Sequence, residues 1–293
     1  MRIGYIGLGN MGSPLASRVV SGGFALSVFD VRPDAVVPLE QLGAQRRSSP
    51  AALAADADVV GIVVRDDAEV KAVVCGPDGV LAAARPGTLV AVHSTISLDT
   101  LRTVAAAAEA TGVRVIDAAV SGGADGARAG KLCVMVGGDE ADFTAARPVL
   151  DTFGGFVLHL GPLGSGMAMK LARNLSGYLL MAAAHEGMAL AERAGLPLAS
   201  FKQVVEYTDA LNPVFTLWLR RPTTAAFDRS TEADAVRWSE WGRGLADKDL
   251  EDALQLADEV GVDLPVARAA HAALSPIWRT PAGGPTTDEP PAG

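Results

Sequence analysis

Cysteine is nearly absent: Cys75 and Cys133 stand apart with no CxxC spacing, which excludes a disulfide framework and a thiolate metal site. Two half-buried thiols in a reducing compartment are expected instead. Histidine is equally sparse, and His93, His159, His185 and His271 show no HxxxH or HExxH spacing, so each reads as a surface or internally satisfied residue and no metal is expected. Positive charge is in deficit. The formal net charge of −9 excludes a protein that reads nucleic-acid backbones, which needs a clustered excess of Lys and Arg, although a small anion can still meet a local cationic pocket. Apolar runs long enough to span a bilayer, about 20 residues, are missing. The chain opens on Met1-Arg2-Ile3-Gly4-Tyr5-Ile6 without a basic and apolar leader, and the expectation is a cytoplasmic protein.

What is present is apolar material: 49% of residues are hydrophobic and 20% charged, spread over 293 residues, enough for two domains. In the first half, short β-type runs at Ile3 to Ile6, Ala25 to Phe29, Val59 to Val64, Leu89 to Val92, Val113 to Ile116 and Cys133 to Val136 alternate with Ala-rich helical stretches. That alternation predicts an α/β fold, a doubly wound parallel sheet covered by helices on both faces. After about Gly161 the strand signal stops. Met167 to Arg193, free of Pro and poor in β-branched residues, predicts one long helix that joins the domains and ends at Gly195-Leu196-Pro197. Segments around Leu198 to Tyr207, Val214 to Leu219 and Leu245 to Val260 are expected to be helical, which makes the second domain all-α. The expected boundaries are 1–162, 163–280 and a disordered Pro/Gly-rich tail, 281–293.

Gly7-Leu8-Gly9-Asn10-Met11-Gly12 is a GxGxxG that leaves an apolar strand and opens a helix, the context of a Rossmann dinucleotide site. Gly7 permits the tight turn, Gly9 the approach of the pyrophosphate, and Gly12 the packing of helix on strand. Asp30 ends the next strand, 18 residues past Gly12, where a carboxylate accepts ribose hydroxyls and favours NAD. Arg32, two residues on, could instead bind the 2′-phosphate of NADP or stay in solvent. A second glycine cluster, Ser121-Gly122-Gly123, follows a strand ending Asp117-Ala118-Ala119-Val120, so its amides and the Ser121 hydroxyl lie at the ligand-binding edge and can hold a carboxylate. The third, Gly164-Ser165-Gly166, leads into the long helix, where Lys170, Arg173 and Asn174 share one face. Ala168, Met169, Leu171 and Ala172 surround Lys170 with apolar groups. Desolvation lowers a lysine pKa toward neutrality, where it can exchange a proton with an alcohol while a nicotinamide takes the hydride. Asn174 offers its amide to the substrate.

These three clusters, in this order, resemble the β-hydroxyacid dehydrogenase family, and the match runs from Ile3 to about Val266. The family includes 3-hydroxyisobutyrate dehydrogenase, tartronate semialdehyde reductase, succinic semialdehyde reductases and 6-phosphogluconate dehydrogenase. The resemblance implies an NAD(P)-dependent oxidoreductase that interconverts a small 3-hydroxy acid and its semialdehyde or 3-oxo acid. Lys170 would be the general acid/base, and Ser121, Gly122, Gly123 and Asn174 would hold the substrate. Val64 and Arg65 would border the cofactor, Thr95 would lie near the nicotinamide, Lys248 would reach toward the cofactor, and helical domains would build dimers or tetramers.

Three departures from the family pattern stand out. Ala119 replaces a usual Pro, while Arg65 and Arg173 replace uncharged or weakly basic residues and add positive charge near the cleft. Arg173 either reads an anionic substrate group, points to solvent, or pairs with an acid such as Glu186. The segment from Asn212 to Trp241, with Trp218, Trp238 and Trp241, also departs from the family and would cover the substrate. An imine reductase and a non-catalytic dinucleotide-binding regulator are the competing readings. Lys170 argues against the first, and Lys170 with Asn174 against the second.

Overall fold

The computed structural model describes residues 1–211, 213 and 223–281. It divides into two compact units, Met1–Leu175 and Ser176–Gly293.

In the first unit the apolar runs form eight strands: β1 (Arg2–Ile6), β2 (Ala25–Phe29), β3 (Gln45–Arg46), β4 (Val59–Ile62), β5 (Leu89–Val92), β6 (Arg114–Ser121), β7 (Leu132–Gly137) and β8 (Gly154–His159). They hydrogen-bond in the order β3-β2-β1-β4-β5-β6-β7-β8. The helices are α1 (Gly12–Ser21), α2 (Pro33–Glu40), α3 (Pro50–Ala54), α4 (Asp67–Cys75), α5 (Leu98–Glu109), α6 (Gly123–Arg128) and α7 (Glu140–Leu150). Alternate residues of each strand feed two separate cores. Ile3, Tyr5, Leu89 and Ile116 pack with Leu15 and Val19 of α1 and Val149 of α7. Val60, Ile62, Val90 and Val92 pack on the other face with Val70 of α4 and Leu101 and Val104 of α5. Burying each such side chain contributes roughly 2 kcal/mol, and burial on both faces explains why β4 and β5 are apolar at every position. Side chains start several helices: the Ser49 hydroxyl accepts from Ala52 N at 3.1 Å, the Asp66 carboxylate from Glu69 N at 3.0 Å and the Ser97 hydroxyl from Thr100 N at 3.2 Å.

The sheet is parallel, as expected, except at one pairing. β7 runs antiparallel to β6, and β8 runs parallel to β7. Only residues 122–131 connect β6 to β7, whereas a parallel crossover takes a dozen or more, so the chain turns back on itself.

The long helix, α8 (Ser165–Arg193), leads into α9 (Leu198–Leu211), α10 (Ala233–Val260), α11 (Pro265–Ala272) and α12 (Leu274–Trp278). Every regular element among the described residues of the second unit is a helix. The expected helix over Val214 to Leu219, Trp218, and the tail beyond Pro281 lie outside the described residues. Among those described, no helix is long and apolar enough to cross a membrane. The first compact unit runs on to Leu175 because the start of α8 packs with the sheet. Met167 is fully buried in the second of the sheet's two cores, and the Asp117 carboxylate of β6 accepts from Gly164 N at 2.7 Å and Met167 N at 2.6 Å. Glu186 does not pair with Arg173; its carboxylate caps α11, accepting from Val266 N at 2.6 Å and Ala267 N at 2.8 Å. His271 Nε2 lies 2.9 Å from the Asp247 carboxylate, so this histidine sits in a small charged cluster with Asp247 and Glu251.

Candidate active site

The dinucleotide loop joins β1 to α1. Gly7 has φ +88°, and a Cβ there would stand 2.2 Å from the Val63 carbonyl oxygen; at Gly12 it would stand 1.9 Å from the Gly7 oxygen. Neither position tolerates a side chain. At Gly9 a Cβ would meet nothing within 4 Å, so the loop presents open space where the pyrophosphate is expected. Asp30 at the end of β2 braces this turn: one carboxylate oxygen accepts from Leu8 N at 2.6 Å and the other from Arg32 N at 2.8 Å. Each oxygen keeps a lone pair for a ribose hydroxyl. The Arg32 side chain folds back on Asp30, with Nε 3.6 Å from Oδ1. The residues present therefore fit a dinucleotide.

From this loop a cavity of about 640 Å³ extends over the carboxyl ends of β4, β5 and β6. Its wall brings together Gly9, Asn10, Met11, Gly12, Val64, Arg65, Thr95, Ser121, Gly122, Gly123, Lys170 and Arg173, all anticipated from the sequence. Gly122 and Gly123 take φ +132° and +66°, backbone conformations that favour glycine. Asn174, half-buried, is not part of the wall; its amide oxygen accepts from Arg173 Nη1 at 3.4 Å. Lys248 lies in the other unit, on α10, 3.0 Å from the Asp249 carboxylate.

Lys170 is 9% exposed, yet among the described residues it forms no ion pair with a carboxylate. Burial lowers its pKa below the usual lysine value, and the nearby Arg173 charge lowers it further, against a weaker opposing influence from Cys133. Arg65 is a correction to the expected surplus of cleft charge: it pairs with Asp66 at 3.0 Å and Glu69 at 3.0 Å, which offset it.

Four cavity residues escaped the sequence reading: Val63, His93, Ser94 and Val120. Ser94 accepts from Val64 N and donates to Val64 O, both at 2.8 Å, and so fixes the cofactor side of the wall. His93 is buried, stacked on Tyr5 with ring centroids 5.7 Å apart. Its Nδ1 lies 2.7 Å from the Ala118 carbonyl and must carry the proton, so the Tyr5 hydroxyl, 3.2 Å away, donates to Nε2. Desolvation pushes the His93 pKa down to about 4, which makes it a neutral brace rather than an acid/base. Val120 completes that side. Asp117, outside the wall, holds the start of α8; a lone acid inside an apolar run was the available signal.

A second cavity of about 600 Å³ lies in the helical unit, lined mainly by Phe227, Trp238, Trp241, Leu245 and Trp278. Its lining is mainly apolar, with Ser239 and Asp249 its polar members.

Residues 2–161 match the NAD-binding domain of 6-phosphogluconate dehydrogenase, and residues 164–288 the family described as NAD-binding of NADP-dependent 3-hydroxyisobutyrate dehydrogenase. Among curated relatives, an uncharacterized oxidoreductase of Mycobacterium tuberculosis is 41% identical over 92% of this chain and 90% of its own. The 3-hydroxyisobutyrate dehydrogenase of Pseudomonas aeruginosa is 35% identical over 92% of this chain and 89% of its own. The solved 3-hydroxyisobutyrate dehydrogenase of M. tuberculosis with L-serine superposes with a TM-score of 0.67 at 33% identity, covering 94% of this chain and 93% of that one. An imine reductase of Myxococcus stipitatus with NADP⁺ reaches a TM-score of 0.79 over 94% of this chain and 93% of its own; at 20% identity the likeness is one of fold.

Proposed function

The chain belongs to the β-hydroxyacid dehydrogenase family of NAD(P)-dependent oxidoreductases, and from that premise we propose that it interconverts a small 3-hydroxy acid and its semialdehyde or 3-oxo acid, with Lys170 as general acid/base. The observation that carries this reading is a buried lysine without a carboxylate partner, facing the same cavity as the dinucleotide loop and the Ser121-Gly122-Gly123 amides.

The substrate carboxylate is held by the amides of Gly122 and Gly123 and the hydroxyl of Ser121. That anchorage directs the carbinol toward Lys170 Nζ. In the oxidative direction neutral Lys170 takes the hydroxyl proton as the carbon–hydrogen bond breaks; in the reverse direction protonated Lys170 returns it to the new alkoxide. NAD(P), when bound, supplies the hydride acceptor or donor. Thr95 and Ser94 border that part of the cavity, whereas Asn174, one turn beyond Lys170, lies outside the wall and contacts Arg173. The brace of Asp30 on the loop favours NAD through the ribose hydroxyls. Imine reduction is the second reading, supported by fold likeness alone.

Absorbance of the reduced nicotinamide, followed with NAD and with NADP over a panel of 3-hydroxy acids, semialdehydes and cyclic imines, tests the proposal. Turnover of a 3-hydroxy acid is expected. Turnover of imines alone, or dinucleotide binding with no turnover, contradicts it.

A further inference from the structure

The charge of the cavity is unusual in one respect: its wall contains no Asp or Glu, although it contains three cations. Arg65 is offset by Asp66 and Glu69. Lys170 and Arg173 are not. Among the described residues Arg173 pairs with no carboxylate, and its hydrogen bond to the Asn174 amide oxygen is long, at 3.4 Å. At i and i+3 on α8, Lys170 and Arg173 have Cβ atoms about 5–6 Å apart on one helix face. Arg173 stands close enough for its charge to add to burial in depressing the lysine. Two neighbouring cations with no protein counter-charge disfavour each other, and a bound anion relieves the cost.

We propose that Arg173 is the specificity residue for a second carboxylate, so that the 3-hydroxy acid turned over at this site is a dicarboxylate. One carboxylate occupies the Ser121-Gly122-Gly123 amides, the carbinol faces Lys170, and the other carboxylate meets the Arg173 guanidinium. The fork of a guanidinium matches a carboxylate with two parallel hydrogen bonds. Asn174 positions Arg173 through its amide oxygen. The inference rests on the dehydrogenase reading above and names the substrate class for that site.

The test compares 3-hydroxyglutarate with 3-hydroxybutyrate in the wild type, Arg173→Gln and Arg173→Lys. A parallel measurement takes the melting temperature of each protein, without turnover, in glutarate and in butyrate at matched ionic strength. The expected result is a kcat/KM at least ten-fold higher for the diacid in the wild type, a ratio that collapses toward one in Arg173→Gln, and partial recovery in Arg173→Lys. Glutarate should raise the melting temperature more than butyrate only where residue 173 is a cation. A diacid-to-monoacid ratio that is the same in wild type and Arg173→Gln overturns the inference while leaving the dehydrogenase reading in place. If no hydroxy acid turns over, the dehydrogenase reading falls, and the glutarate shift still decides whether Arg173 binds a carboxylate.

Discussion

Lys170 owes its chemistry to where it is buried. A charged ammonium in this position costs stability that an exposed lysine would not, and among the described residues no carboxylate pairs with it. Lys170→Met should therefore raise thermal stability, by about 1 kcal/mol, while abolishing turnover; calorimetry and the absorbance assay on the same preparation check both halves. Because the folded-state pKa is lowered, the oxidation rate should climb with pH and level off below the ordinary lysine value. Removing Arg173 removes one of the two influences that depress it, so the rising limb of the kcat profile should move to higher pH in Arg173→Gln. His93 gives a separate signature. Its pKa near 4 in the fold, against 6.5 when exposed, means that the unfolded chain binds more protons between those values. Stability should fall as pH drops from 6.5 to 4, by roughly 3 kcal/mol from this residue, and unfolding curves of His93→Gln should lack that part of the slope.

At the scale of elements, the site depends on how β6 meets α8. Asp117 at 0% exposure joins them, its burial raising the pKa while the amides of Gly164 and Met167 pull it down. Lys170 stands three residues after Met167, so this carboxylate sets where the helix begins and where the lysine points. Asp117→Asn, which loses one acceptor oxygen, should cost about 2 kcal/mol of stability and lower kcat far more than the affinity for the dinucleotide; equilibrium unfolding and cofactor titration separate the two. The sequence made β1, β4 and β5 legible because both faces of those strands are buried, leaving apolar runs, and β2 legible through its buried Leu26 and Val28. It hid β3, two polar residues paired through backbone alone, and β8, whose opening Gly154-Gly155 weakens the strand pattern. The reversal of β7 was legible in the short β6–β7 connection but was outweighed by the alternating pattern around it.

At the scale of the molecule, the first two glycine clusters lie far apart in the chain and converge because a doubly wound sheet gathers the carboxyl ends of its parallel strands on one edge, while the third follows the reversed β8 and is tied to β6 by Asp117. That is why most of the cavity wall could be named from motifs, whereas Ser94 and His93, which act through Val64 and Ala118, needed the folded arrangement. Charge balance was likewise invisible in one dimension, since Arg65 and Arg173 look alike until Asp66 and Glu69 are seen to close on the first. The helical unit leaves Tyr178, Met181, Val204 and Tyr207 more than half exposed, and we propose that a second copy of the chain covers them. Light scattering should give a dimer or larger assembly, reduced in mass by Tyr178→Glu with Met181→Glu.

The most direct test of the central claim is the rate of hydride transfer in Lys170→Ala, measured in single turnovers with the cofactor site saturated and the dinucleotide affinity determined alongside. The account predicts a loss of about 10²–10⁴-fold in rate with dinucleotide affinity little changed. A variant that retains more than a tenth of the wild-type rate would show that the proton leaves by another route and that Lys170 is not the acid/base.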